Sequence, residues 1–264
     1  MEHRQNAIGI FDSGIGGTSI WREIQQQLPN EHTLYLSDSK NAPYGQRSVD
    51  EILALSIKNT EFLLDQNCKL IVVACNTATT NAIGYLRAHY DVPFIGIEPA
   101  IKPASIATKS KVVGILATQG TLNSALFEKT SAQLDADLLI VEQVGEGLVN
   151  LIENGAISSP EMTALLERYL SPMLNANADC IVLGCTHYPY LYPQIAAITG
   201  PDVQIIDSGH AVALQTKKVL TANQLLTDAS GLAQHHFYTN KNLEVLRTIL
   251  NDVTVPINIE LRDF

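Results

Sequence analysis

Cys75 and Cys185 each close a short β-branched run and open onto polar residues. Leu70-Ile71-Val72-Val73-Ala74 leads into Cys75-Asn76-Thr77, and Cys180-Ile181-Val182-Leu183-Gly184 leads into Cys185-Thr186-His187. A buried strand that stops where a helix starts is the place at which α/β folds hold reactive groups. A side chain in that turn faces unpaired backbone N–H groups and the positive end of the helix macrodipole. Both lower the pKa of a thiol and attract an anion. Asn76 and Thr186 are good N-cap types, and Pro189 suits a first helical turn. A single such cysteine is most simply a buried, inert thiol. Two in matched settings, 110 positions apart, point to a pair acting on one carbon from opposite faces. One removes a proton and the other donates one, so configuration inverts without redox change. A thiol suits that task because its ordinary pKa, about 8.5, lies not far above neutrality. The α-carbon of an amino acid is a very weak acid, so most of the help must be electrostatic. Cys68 and Cys180 start their segments instead of ending them and read as ordinary core thiols.

Other turns extend this site. Asp12-Ser13-Gly14-Ile15-Gly16-Gly17 follows the first strand-like run and offers a carboxylate, a hydroxyl and a flexible series of N–H donors. Its glycine spacing is not the Gly-x-Gly-x-x-Gly of dinucleotide-binding folds, and Asp12 either serves the site or caps the next helix. Pro43-Tyr44-Gly45 is a turn able to bring a phenol and a main-chain N–H over a ligand, or simply a surface turn. His187 either tunes Cys185 or packs in the core. Glu153, in an apolar-rich segment, either approaches the site or lies exposed. Asp207-Ser208-Gly209 echoes Asp12-Ser13-Gly14 and reads as a helix cap.

The chain as a whole narrows the possibilities. Its 264 residues are 46% apolar and 17% charged, ordinary values for a globular protein. No apolar stretch reaches the roughly 18–20 residues of a membrane helix, and Met1–Asn6 runs straight into a strand-like segment unlike a signal peptide. The expectation is a cytoplasmic protein with free thiols. The spacings between cysteines do not match short zinc-ligand patterns, so no metal is expected. With 17 basic and 27 acidic residues, the net charge of −10 argues against nucleic acid or an anionic membrane as partner.

Strand-like and helix-like segments alternate throughout, which predicts βα units around parallel sheets. Strands are predicted at Ile8–Phe11, Leu34–Leu36, Leu70–Ala74 and Phe94–Ile97. Ser48-Val49-Asp50-Glu51 reads as a capping box opening a long amphipathic helix. The pattern then restarts: Val113-Gly114-Ile115-Leu116 resembles Ile8-Gly9-Ile10-Phe11, and this alignment places the second cysteine five positions later than the first predicts. We read two similar parallel-sheet α/β domains related by pseudo-two-fold symmetry, each bringing one cysteine to a cleft between them. Residues 1–97 and 206–264 form the first domain in this reading, and 98–205 the second.

Together, Asp12-Ser13-Gly14-Ile15-Gly16-Gly17, Pro43-Tyr44-Gly45, Ala74-Cys75-Asn76-Thr77-Ala78-Thr79 and Gly184-Cys185-Thr186-His187-Tyr188-Pro189 resemble the glutamate racemases of the cofactor-independent aspartate/glutamate racemase superfamily. The resemblance spans essentially the whole chain. It implies interconversion of L- and D-glutamate without cofactor, supplying D-glutamate for peptidoglycan, and often a homodimer. By that resemblance Cys75 acts on the α-proton of D-glutamate and Cys185 on that of L-glutamate, with Asp12, His187 and Glu153 assisting. By the same resemblance substrate contacts fall to Asp12, Ser13, Tyr44, Gly45, Asn76, Thr77, Thr186 and His187, with Thr118 and Thr121 in the second half's counterpart turn. Ser37-Asp38-Ser39-Lys40-Asn41-Ala42, Thr18 and Tyr238-Thr239-Asn240 depart from the family pattern. Rival readings are an aspartate or hydantoin racemase, an amino-acid-binding module, a Cys185–His187 hydrolase and a pyridoxal-dependent racemase. The matched pair of thiols fits neither a binding module nor a hydrolase, and no lysine stands at a turn resembling a Schiff-base site for pyridoxal.

Overall fold

The computed structural model describes residues 2–229 and 231–264. Met1 and Ser230, which the domain reading counts with the first unit, lie outside the described residues. In the first half, β1 (Ile8–Asp12), α1 (Thr18–Gln27), β2 (Thr33–Ser37), α2 (Val49–Asp65), β3 (Leu70–Val73), α3 (Asn76–His89) and β4 (Phe94–Gly96) follow in order. β1, β2 and β3 are buried at every position, as strands covered on both faces must be. Ser48 starts α2 as expected: its Oγ accepts from Glu51 N, and Glu51 Oε2 accepts from Ser48 N at 2.9 Å.

The second half runs α4 (Ile101–Ala107), β5 (Val112–Ala117), α5 (Gln119–Leu122), α6 (Ala125–Ser131), β6 (Leu139–Val144), α7 (Leu148–Glu153), α8 (Pro160–Asn175), β7 (Cys180–Gly184), α9 (Tyr192–Thr199) and β8 (Gln204–Ile206). The chain then adds α10 (Gly209–Ala222), β9 (His235–Thr239), α11 (Leu243–Ile249) and β10 (Ile257–Leu261). Both sheets are parallel throughout, in the orders β10-β9-β2-β1-β3-β4 and β6-β5-β7-β8. The stretches β2-β1-β3-β4 and β6-β5-β7-β8 therefore repeat one topology. β1 corresponds to β5, as the resemblance of Ile8–Phe11 to Val113–Leu116 predicts, and Cys75 and Cys185 follow the equivalent strands β3 and β7. One apolar cluster runs from Trp21 and Phe237 under the first sheet to Leu148, Leu183 and Tyr188 of the second half. Among the described residues no helix is long and apolar enough to cross a membrane.

Two local expectations are corrected. Asn76 is not the N-cap of α3; Cys75 itself is, in extended conformation, with its sulfur accepting from Ala78 N at 3.4 Å. Asn76 is thereby freed to point elsewhere. Nor does an α-helix follow Cys185 directly. His187 caps a short 3-10 turn over Tyr188–Leu191, and α9 begins only at Tyr192. Pro189 and Pro193 each lack an N–H and fit only first turns, which splits the segment in two. Cys75 thus sits at the start of a 14-residue helix, while Cys185 has only a four-residue turn beside it and must find its positive partner elsewhere.

Candidate active site

Both sulfurs line a single cavity of about 250 Å³ at the carboxyl ends of β3 and β7. Ser13, from the turn after β1, stands beside Cys75, whose thiol donates to Ser13 Oγ across 3.7 Å. Asn76 and Thr77, the first residues of α3, add an amide and a hydroxyl to the wall; Thr118 faces them, and Thr186 and His187 flank Cys185. Pro43, Tyr44 and Gly45 close it from the first half, and Val149 of α7 from the second. Pro43, Gly45, Thr118 and Val149 also border a larger cavity of about 650 Å³ walled by Gln46, Gln119, Glu146 and Asn150.

Behind this wall stands a polar layer. Asp12 is fully buried; Oδ2 accepts from Gly14 N at 3.0 Å and Gly17 N at 3.1 Å, and Oδ1 accepts from Thr186 Oγ1 at 3.1 Å. It therefore orders its own turn and also reaches across to the second half. Thr77 Oγ1 lies 2.8 Å from Thr118 Oγ1, and Thr121 Oγ1 lies within 3.2 Å of both. Thr121 is buried and backs this hydroxyl pair instead of facing the cavity. Glu153 sits behind His187, with Oε1 2.6 Å from His187 Nε2. Gly14 and Gly16 pack directly against Glu153 and His187 of the second half. A methyl at Gly14 would lie 1.8 Å from Glu153 Oε1, and one at Gly16 2.2 Å from His187 Nδ1.

The Asp/Glu/hydantoin racemase family model matches residues 8–216. The chain belongs to that family. The glutamate racemase of Herpetosiphon aurantiacus is 48% identical to it over 237 residues, covering 90% of this chain and 93% of that one. A crystal structure of a glutamate racemase isoform from Bacillus anthracis superposes with a TM-score of 0.88 at 32% identity, over 99% of each chain. The Francisella tularensis glutamate racemase, solved in complex with D-glutamate, superposes with a TM-score of 0.84 at 28% identity over 98% of each chain.

The two thiols of this racemase sit in different fields. Burial pushes the Cys75 thiol well above its ordinary value, and the nearby Asp12 charge pushes the same way against the Ala78 N–H. Cys185 instead faces His187 Nδ1 at 3.7 Å. Burial opposes a charge on His187, but its bonds to Cys185 and Glu153 outweigh burial and hold the ring well above the usual imidazole range. Burial likewise works against the Glu153 carboxylate; bonds from His187, from Ser39 Oγ at 2.6 Å and from Ile15 N at 2.7 Å prevail and hold it below the usual range. The imidazolium is the positive partner that the short turn after Cys185 does not supply. Burial raises Asp12 to about 6, against the lowering effect of His187 and the Gly17 N–H.

Of the residues singled out in sequence, Tyr44 departs most from its expected posture. Its ring lines the cavity, but its hydroxyl turns away to donate to Asp38 and to accept from Asn59 Nδ2 at 3.0 Å. Asp38 also receives Asn41, Asn240 and Lys58 and anchors the whole turn. Asp38 and Ser39 escaped sequence reasoning, yet a signal was present. An Asp-Ser pair recurs at the ends of β1, β2 and β8, as Asp12-Ser13, Asp38-Ser39 and Asp207-Ser208. At the third, Asp207 Oδ1 accepts from Gly209 N at 2.7 Å at the start of α10, while Ser208 at the N-cap position makes no side-chain cap bond. Among the described residues no group of three or more His, Cys, Asp or Glu side chains is arranged to hold a metal ion.

Asn76 carries the clearest mark of a ligand-binding group. Its amide nitrogen and oxygen are both buried on the cavity wall, and neither has a partner among the described residues. Such atoms cost free energy unless something arrives to pair with them. Asn76→Ala is therefore expected to leave thermal stability unchanged or improved. The KM for substrate should rise by roughly 10- to 100-fold, the worth of a hydrogen bond to a charged group. Steady-state kinetics together with a melting curve check both halves of this expectation.

Proposed function

We propose that the protein interconverts L- and D-glutamate by proton transfer between Cys75 and Cys185, on opposite faces of the α-carbon. The observation that carries this reading is the opening of both sulfurs, from equivalent strand ends, onto one small cavity. In one direction a Cys185 thiolate takes the α-proton of L-glutamate, paired with the His187 imidazolium, and the Cys75 thiol delivers its proton to the other face. In the reverse direction a Cys75 thiolate acts on D-glutamate and Cys185 is the donor. Asp12 stands behind Cys75 as the group able to relieve that thiol of its proton. The balance closes with one S–H broken and one formed, so no cofactor is called for. Ser13, Tyr44, Gly45, Asn76, Thr77, Thr118 and Thr186 enclose the substrate, with Thr121 backing the threonine pair. Among the described residues no lysine or arginine lines the cavity, so neutral hydroxyl, amide and main-chain donors hold the carboxylates. The names of the relatives favour glutamate over aspartate. We assign the product to peptidoglycan synthesis, the enzyme to the cytoplasm and the working form to a homodimer.

The deciding experiment incubates L-glutamate with metal-free, cofactor-free protein and follows the enantiomers by chiral chromatography, with aspartate and a hydantoin in parallel. Racemisation of glutamate, with solvent deuterium entering the α-position from either enantiomer, is expected. Turnover confined to aspartate or the hydantoin, or none at all, overturns the reading.

The acid side of the pH profile follows from Asp12. Below about pH 6 its carboxylate takes up a proton. It then no longer accepts from Gly14, Gly17 and Thr186 together, nor serves as a base beside Cys75. The kcat/KM is expected to fall with a midpoint near that pH, reporting the free enzyme. Asp12→Asn should flatten this limb and leave only a low plateau.

A further inference from the structure

We propose that Ser39 is a positioning residue for Cys185, acting from the opposite half of the protein through Glu153 and His187. This rests on the two-thiol reading above. Five buried groups form one line: Ser37 Oγ lies 3.0 Å from Ser39 Oγ, which donates to Glu153 Oε2 at 2.6 Å. Glu153 Oε1 holds His187 Nε2 at 2.6 Å, and His187 Nδ1 faces Cys185 Sγ at 3.7 Å. Ser37 and Ser39 belong to β2 and the turn after it, while Glu153, His187 and Cys185 belong to the second half.

The two oxygens of Glu153 are served unequally. Oε1 has both His187 and Ile15 N, whereas Ser39 is the donor to Oε2. Without that hydroxyl, a carboxylate oxygen in a dry site is left unpaired, which penalises the ionised and correctly turned form of Glu153. His187 then loses the anion that keeps it protonated, and a thiolate at Cys185 loses its counter-ion. Ser39 itself is held still because Asp38, beside it, is fixed by Tyr44, Asn41, Asn240 and Lys58. The other titratable groups around this line are Asp12 at the end of β1, Cys75 after β3, Tyr35 on β2 and Tyr188 after Cys185. None of them hydrogen-bonds to the Ser39 hydroxyl, so its loss acts first on Glu153, His187 and Cys185, and reaches Cys75 only indirectly through Asp12.

Thiol reactivity tests this without any substrate. Iodoacetamide alkylation of Cys185 and of Cys75 is followed separately by peptide mass spectrometry, across the pH range in which thiols ionise, in the intact protein and in Ser39→Ala, Ser39→Val and Ser39→Thr. In Ser39→Ala and Ser39→Val the Cys185 curve is expected to move up by about one pH unit, making alkylation near neutrality about tenfold slower. Cys75, reached only through Asp12, should move far less, and Ser39→Thr, the same shape as valine but with a hydroxyl, should restore the original curve. An unchanged Cys185 curve, an equal shift of both thiols or a threonine that behaves like valine overturns the proposal. Failure of the protein to racemise glutamate with these shifts present would count against the proposed function and not against Ser39.

Discussion

Cys75→Ala and Cys185→Ala are each expected to abolish racemisation in both directions, with kcat/KM reduced at least about a thousandfold, toward the upper end of what a positioned acid–base group contributes. The loss must be symmetric. L- and D-glutamate have equal free energy, so the equilibrium constant of the reaction is one and the two kcat/KM values cannot diverge, whichever thiol is removed. What can diverge is partial chemistry. With Cys75 gone, a Cys185 thiolate still faces the α-proton of L-glutamate and can return a solvent-derived proton to the same side. Slow deuterium entry into L-glutamate without inversion is therefore expected in Cys75→Ala, and into D-glutamate in Cys185→Ala. Serine should rescue neither, because its hydroxyl is a far weaker acid than a thiol. Chiral chromatography of glutamate after incubation in deuterated water reads inversion and exchange in one sample. Near-normal inversion in either alanine variant would falsify the two-thiol mechanism.

Much of this site was legible in the residues because parallel α/β folds concentrate chemistry at strand ends, and strand ends are visible as apolar runs that stop. The pairing of Ile8–Phe11 with Val113–Leu116 gave the repeated topology, and with it the equivalence of Cys75 and Cys185. Asp12, Asn76, Thr77, Thr118 and His187 lie at the same strand ends and came with them. What the sequence hid were partners that meet only when the halves close. Ser39 and Glu153 stand 114 positions apart, and nothing local to either says that one will donate to the other. Tyr44 could be read as a turn residue facing the cleft, but not as one whose hydroxyl is already committed to Asp38. Cys75 as its own helix cap was hidden for a different reason. Asn is the stronger N-cap type, yet here its amide is left without a protein partner, so local propensity yields to the cavity.

Closure itself can be tested at a single carbon atom. Gly16→Ala should lower kcat by about 100-fold or more, the usual consequence of displacing a catalytic group by about 1 Å. The added methyl would sit 2.2 Å from Nδ1, 2.5 Å from Cγ and 2.7 Å from Cε1 of His187. A ring gripped by Glu153 on one side and facing Cys185 on the other cannot swing aside as a flexible chain end could. Either the imidazole leaves the sulfur or the Asp12–Gly17 turn opens, and both separate the groups that must meet at the α-carbon. Gly84→Ala is the matched control. Gly84 lies within α3, where an added methyl meets no neighbour, so that variant gains the roughly 0.5–1 kcal/mol by which alanine exceeds glycine in a helix and keeps full activity. In Gly16→Ala, circular dichroism should show the folded protein while deuterium entry falls from both enantiomers. Wild-type kcat in that variant would mean that His187 need not stand where it does, and its role beside Cys185 would fall with it.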